Sequence, residues 1–227
     1  MVAVAPKPVV YPESDGLPMS DNTLQFDTIA YLVAALRRWF STRDDVFVAG
    51  DLLWYFEEGN PVARVAPDGL VAFGRPAGYR GSYLQWLEDG VCPQVVFEVL
   101  SPNNSVREMQ RKYALYARLG CEEYYLIDPD DHAIEGFRCS DGAPSYLDDA
   151  VGAVSPRLGL ELVFIEGSFR FVDPASGDML PDYQEVAARA DAAAVRADEA
   201  AARADEAAAR AERLAVQLRS LGVDPVG

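Results

Sequence analysis

The chain is short of the residues on which many enzymes depend. Histidine occurs once in 227 residues, at His132, inside the acidic turn Asp-Pro-Asp-Asp-His. A Ser/Cys-His triad therefore has a single possible base and no nucleophile elbow to serve, and a histidine in such a turn ordinarily meets only solvent. The three cysteines, Cys92, Cys121 and Cys139, are odd in number and form no CxxC pair. That excludes a disulfide framework and a zinc knuckle, and points to reduced thiols in a cytoplasmic protein. No GxxxxGK[ST] loop is present, and no GxGxxG opens a helix after a strand, so the common phosphate-binding loops are missing. No apolar run approaches the roughly 20 residues that cross a bilayer. The opening MVAVAPKPVVYPESDG lacks a charged segment followed by a long apolar one, so neither a membrane span nor a signal peptide is expected. Basic charge is scarce as well: 20 Lys and Arg face 36 Asp and Glu, for a net −16. The six Arg and eight acids from Glu185 onward account for −2 of this, leaving −14 on the remainder, a field that repels polyanions at long range.

What is present is a globular composition, 50% hydrophobic and 25% charged. Residues 1–19, rich in Pro and small side chains, read as a flexible arm, 20–182 as one mixed α/β domain, and 183–227 as a helical tail. Ser20 or Asp21 would cap a helix from Thr23 to Phe40, with Leu24, Ile29, Leu32, Val33, Leu36 and Phe40 near one face. VFVAGDLLWYFEEGNP reads as a strand ending in a turn, RVAPDGLVAFG as a second strand, and 75–91 as loop or short helix. PQVVFEVLSP is a buried strand, followed by a helix from Ser105 to Leu119 that stops at Gly120. EYYLIDPD is the next strand, so 95–100 and 124–128 should lie parallel in a βαβ unit. AIEGFR and short strands near 160–164 and 169–172 complete the domain. In the tail, RADEAAARADEAAARAERLAVQLRSL repeats every seven residues. Ala197, Ala204, Ala211 and Leu218 fall at one seam position, with Ala200, Ala207, Leu214 and Leu221 at the other. That pattern favours a coiled coil, hence a homodimer, over a solvated single helix.

With triads, phosphate loops and zinc ligands set aside, the chemistry must rest on acids carried by strands. Asp68 stands at the start of one strand, and Glu98 lies within another among Val96, Phe97, Val99 and Leu100. An ionised carboxylate in such a run is costly unless it is paired or metal-bound. Two carboxylates converging from adjacent strands would suit Mg²⁺ or Mn²⁺. The structural alternative is a salt bridge from Glu98 to Arg107 or Arg111. Lysine is used only at Lys7 and Lys112 in an otherwise arginine-using chain. The helix of Lys112 follows the Glu98 strand directly and can pack back toward that carboxylate, although a surface lysine would also satisfy the pattern. Two acids, a divalent metal and a lysine suit phosphodiester hydrolysis. Arg64, Arg75, Arg80, Arg107 and Arg111 are candidates for phosphate contact, and the Val99 carbonyl for a further metal ligand.

The segments APDGLVAFG, VVFEVLSPNNS and RKYALYARLGCEEYYLIDP resemble a large bacterial family of "putative restriction endonucleases", abundant in cyanobacteria, within the PD-(D/E)xK nuclease superfamily. The resemblance covers roughly residues 18 to 180, and tails of the same Arg/Ala-rich kind are common among its members. It implies a restriction-endonuclease-like core, a mixed central sheet flanked by helices, here with a C-terminal alanine-rich helix. By this resemblance Pro67-Asp68 is the motif's Pro-Asp and Glu98 its second acid. The motif's lysine position, two residues on, holds Leu100, and Lys112 matches the helix-borne lysine that replaces it in the family. Asp51 matches a position where many members carry aspartate; Glu57, in the EEGNP turn, is a looser candidate. The implied activity is a Mg²⁺- or Mn²⁺-dependent endodeoxyribonuclease acting on DNA, with Asp68 and Glu98 as metal ligands. Because the superfamily includes members without activity, the alternative is a silent nuclease-fold scaffold acting through its tail.

Overall fold

The computed structural model describes residues 9–16, 18–140 and 143–221. The beginning of the expected arm, with Lys7, and the last six residues of the tail lie outside the described residues. The elements follow in the order α1 (Thr23–Trp39), β1 (Val46–Ala49), β2 (Trp54–Tyr55), β3 (Arg64–Val65), β4 (Gly69–Phe73), β5 (Tyr83–Leu84), β6 (Val95–Val99), α2 (Val106–Leu119), β7 (Glu123–Asp128), β8 (Ala133–Ser140), β9 (Ala143–Leu147), β10 (Ala153–Val154), β11 (Glu161–Ile165), β12 (Ser168–Val172) and α3 (Tyr183–Ser220). The chain divides into two units, 1–180 and 181–227.

In the first unit a six-stranded sheet runs β1-β4-β6-β7-β8-β9. Its β6–β7 pair is parallel and joined through α2, as the βαβ pattern requires, while its other pairs are antiparallel. The sheet is mixed, with helices in the layers beside it. Strand alternation decides which side chain meets which layer. Val95, Phe97 and Val99 of β6 join Ile29, Leu32 and Leu36 of α1 and Phe171 of β12 in one buried cluster. Val96 joins Tyr116 of α2 with Tyr124 and Phe137 in another. Burial of each such large side chain contributes about 1.5–3 kcal/mol. Gly69, at the entrance to β4, lets α1 come close: a Cβ there would meet Leu32 Cδ2 at 2.5 Å.

The helices obey their sequence signals with two corrections. In α1 the cap is Asn22, whose Oδ1 accepts from Gln25 N at 2.8 Å, rather than Ser20 or Asp21. Leu24 is exposed, and Gln25 and Thr28 take the buried side with Ile29, Leu32 and Leu36. For α2, Ser105 caps the start by accepting from Glu108 N, and Gly120 closes the end at φ +94°, a conformation that favours glycine.

The expected strand VFVAGDLLWYFEEGNP is in fact two. It breaks at Gly50, where a Cβ would meet Val33 Cγ2 at 2.5 Å, and at Asp51, which is left-handed at φ +48°. Beyond the break β2 pairs with β3 and β5 in a separate small sheet. RVAPDGLVAFG likewise splits into β3 and β4 around Ala66–Asp68, and 75–91 holds β5 and a short 3-10 turn at Gln85–Leu87. The strands expected near 160–164 and 169–172 are β11 and β12, which form a three-stranded sheet with β10. Within the stretch read as a loose arm, Tyr11 packs on Tyr55 and Trp86 with ring centroids 5.2 and 5.0 Å apart, and Tyr55 donates to the Pro12 carbonyl.

The second unit is α3, 38 residues long, opened by a capping box between Asp182 and Glu185 and burying none of its residues. Among the described residues no helix is long and apolar enough to cross a membrane.

Candidate active site

The antiparallel register of β4 on β6 pairs Leu70 with Val96 and Gly69 with Phe97. One step further along both strands sets Asp68 opposite Glu98, so two sequence-distant acids meet because the sheet is in this register. Asp68 Oδ2 accepts from Val99 N at 2.7 Å. Glu98 is 2% exposed and projects toward α2. There Lys112 Nζ donates to Oε2 at 2.8 Å, and Tyr116 Oη donates to Oε1 at 2.5 Å. Lys112 and Tyr116 are four residues apart and share one helical face, so a single helix supplies both partners.

Asp51, Asp68, Glu98 and Lys112 line one cavity of about 330 Å³, together with Gln25, Asn104 and the acids Asp15 and Asp21. Asp51 reaches it because its N–H donates to the Pro67 carbonyl at 3.1 Å, tying the left-handed turn to the Pro-Asp pair. Gln25 Nε2 donates to the Val99 carbonyl at 2.9 Å; a carbonyl has a second lone pair, so this bond does not exhaust that oxygen. Ser101 Oγ donates to Asp21 at 2.5 Å, and its backbone N–H to Asn104 Oδ1 at 2.9 Å.

The electrostatics follow from one ammonium set against several carboxylates. Burial, and then the charge of Glu98, push the Asp68 carboxyl up to about 8. Burial also raises Glu98, against the pull of Lys112. At Lys112 burial disfavours the ammonium, but Glu98 and then Asp68 outweigh it and the net direction is upward. The Asp51 carboxyl is raised by burial and then by Asp15. The pocket is therefore short of positive charge, which is the condition a divalent cation relieves. Its donors are hard oxygens, the class Mg²⁺ and Mn²⁺ prefer. Among the described residues no three His, Cys, Asp or Glu side chains close on a metal-sized point. Mg²⁺ commonly takes one or two carboxylates and completes its shell with water and substrate phosphate, so a two-carboxylate site fits that ion.

The structure thus brings Asp68, Glu98, Lys112 and Asp51 together and leaves other candidates outside. Glu98 pairs with Lys112, while Arg107 and Arg111 are exposed on α2. Arg75 pairs with Asp89 and Arg80 with Glu88, and Arg64 donates to the Pro61 carbonyl. None of these five arginines lines the carboxylate cavity. Glu57 accepts from Asn60 in an exposed turn, and exposed His132 lies beside Phe164 with ring centroids 5.2 Å apart. Gln25, Asn104 and Tyr116 escape a reading of the sequence. Gln25 had a signal, a polar residue in register with the apolar stripe Ile29–Leu32–Leu36.

Comparison with known families decides the relationship. The profile of the Uma2 family, described as "Putative restriction endonuclease", matches residues 18–169. The chain belongs to the Uma2 family. The match runs from just before α1 to the start of β12 and includes Asp51, Asp68, Glu98 and Lys112 of the carboxylate cavity. Among curated proteins nothing matches. Among solved structures, a "putative nuclease belonging to DUF820" from Anabaena variabilis ATCC 29413 is similar at 16% identity and a TM-score of 0.46, over 60% of this chain and 73% of that one. As a Uma2 member the chain is nuclease-like, with the mixed α/β core that the sequence leads one to expect.

Proposed function

We propose that this protein is a Mg²⁺- or Mn²⁺-dependent endodeoxyribonuclease. The observation that carries the proposal is the buried Glu98 carboxylate, held between Lys112 and Tyr116 and facing Asp68 across the β4–β6 pair in one cavity. In this reading Asp68 and Glu98 hold the metal ion, and the Val99 carbonyl is available as a further oxygen. The metal supplies Lewis acidity to the scissile phosphate and lowers the pKa of an attacking water. Tyr116 fixes one Glu98 oxygen so that the carboxylate cannot rotate. Lys112, with two donors beyond the one given to Glu98, orients the water and offsets charge developing on the phosphate. Asp51 adds negative charge to the same cavity. DNA is the substrate, and the net charge of −16 makes its capture depend on the metal ion rather than on a basic surface. The tail pairs with the tail of a second copy through the Ala/Leu seam. The exposed Leu214 and Leu218 of α3, with exposed Leu221 at its C-cap, support this pairing.

One observation favours a second reading. Glu98 is already satisfied within the chain by Lys112 and Tyr116, as a purely structural ion pair would be, and a silent scaffold would act through α3 alone. Isothermal titration of Mg²⁺ and Mn²⁺ into wild type and Glu98→Ala, with plasmid nicking assayed on the same samples, separates the two. Binding and nicking that both vanish in the variant are the expected result. A wild type that neither binds metal nor nicks DNA would leave the scaffold.

A further inference from the structure

Beside the carboxylate cavity lies a larger one of about 1040 Å³, and Asn104 lines both. Its walls include Met109 and Tyr113 of α2, Tyr124 and Leu126 of β7, Glu135 of β8 and Tyr146 of β9. Sheet register relates the two cavities. Glu98 pairs laterally with Leu126, and Leu126 with Glu135, on the face toward α2. Two strand spacings therefore separate the Glu98 and Glu135 backbones, about 10 Å.

Tyr124 carries the inference. The residue is 2% exposed, and its hydroxyl has no hydrogen-bond partner, alone in this respect among the buried side-chain oxygens and nitrogens of the described residues. An unpaired buried hydroxyl is costly, which points to a partner from outside the chain. Burial, followed by the charges of Glu98, Asp68 and Glu135, keeps its proton on, so it stands there as a donor. Glu135 is an exposed carboxylate with one oxygen accepting from Tyr146 Oη at 2.8 Å and the other free of hydrogen bonds from the described residues. Tyr113 and Tyr146, with ring centroids 6.0 Å apart, supply flat aromatic surface. Asp128, Asp130 and Asp131 also line the cavity and favour N–H donors within it.

A ligand for this cavity is flat, offers N–H groups to a carboxylate and accepts from a phenol through a neighbouring oxygen. The Watson–Crick edge of guanine has that pattern, and in a duplex that edge is already paired. We propose that the cavity holds an unpaired guanine base of single-stranded DNA, adjacent to the phosphate at Asp68 and Glu98. Glu135 accepts the base's N–H groups, Tyr124 donates to its carbonyl oxygen, and Tyr113 and Tyr146 provide stacking surface. The phosphate's position rests on the hydrolytic reading above; the base cavity does not.

The test is fluorescence anisotropy of the full-length protein in Ca²⁺ with two fluorescein-labelled single-stranded hexamers, one all thymine and one with a central guanine. The guanine hexamer should bind about tenfold more tightly, the discrimination expected of a bidentate carboxylate–base contact. Glu135→Gln and Tyr124→Phe should each remove most of that preference while leaving the circular dichroism spectrum intact. Pairing the same guanine within a hairpin duplex long enough to stay annealed should remove it too. Equal affinity of the wild type for both hexamers would overturn the proposal, as would a preference unchanged in either variant. A guanine preference without plasmid nicking would sustain the base cavity while the hydrolytic reading fell. Nicking without the preference would do the reverse.

Discussion

Replacing Asp68 by Asn removes a titrating group while keeping its one hydrogen bond, since an amide oxygen can accept from Val99 N as the carboxylate does. The Asp68 carboxyl is pushed from an ordinary 3.8 up to about 8, chiefly by burial and then by Glu98. A carboxyl whose folded pKa exceeds its unfolded pKa binds its proton more tightly in the native state. Stability is then intact below about pH 4, falls by about 1.4 kcal/mol per pH unit as pH rises, and levels off above about pH 8. For Asp68 alone the loss at pH 7 is about 4 kcal/mol, a large part of the stability of an ordinary domain. Metal-free Asp68→Asn should therefore exceed wild type by an amount of that order at pH 7, with the gap closing toward pH 4. Urea unfolding of both proteins between pH 4 and 8 in the presence of a chelator measures the gap. Two parallel pH–stability curves would refute the reasoning, because they would mean that Asp68 ionises as freely in the folded chain as in the unfolded one. Mg²⁺ at pH 8 should then raise wild type and leave the Asn variant where it was, since only the wild type regains a compensated carboxylate.

Lys112→Arg keeps a positive charge beside Glu98 but replaces a compact ammonium with a planar fork. It should lower plasmid nicking by at least about 100-fold, within the range of lost electrostatic or general acid–base assistance, while Mg²⁺ titrations stay near wild type; wild-type nicking would place Lys112 outside the chemistry. Deleting residues 183–227 should leave a folded first unit whose mass by light scattering is that of a monomer. An unchanged association state would end the coiled-coil account of the tail.

The parts of this fold that depend on local chemistry were legible in the sequence. The apolar run around Glu98 is β6, Ser105 and Gly120 bound α2, and the short link between them makes β6 and β7 parallel. Asp68, Glu98 and Lys112 could be singled out because each is out of character where it stands: an acid in a buried run, an acid at a strand entrance, a lysine among arginines. What stayed hidden depends on contacts across the sheet. Asp51 breaks its strand because Gly50 packs against Val33, and nothing within VFVAGDLLWYF announces Val33. Tyr116 resembles any core aromatic until Glu98 is seen beside it. β9, with Pro144 and Ser145 in its run, lacks the alternation of a half-buried strand and is held at the sheet edge by pairing with β8.

The dipeptide Glu98–Val99 faces both ways. The Glu98 side chain is gripped by α2, whereas the Val99 carbonyl accepts from Gln25 on α1 and its N–H donates to Asp68 at the entrance to β4. Both helical layers and two strands must therefore be docked before the cavity exists. No partly assembled form of the chain holds it, and on a ribosome it is completed only after Tyr116 has emerged and α2 has closed onto the sheet. A chain that hydrolyses DNA on this plan would be harmless until finished, and again harmless as soon as either layer peeled away. The same two neighbouring residues that build the centre would also act as its proof of folding.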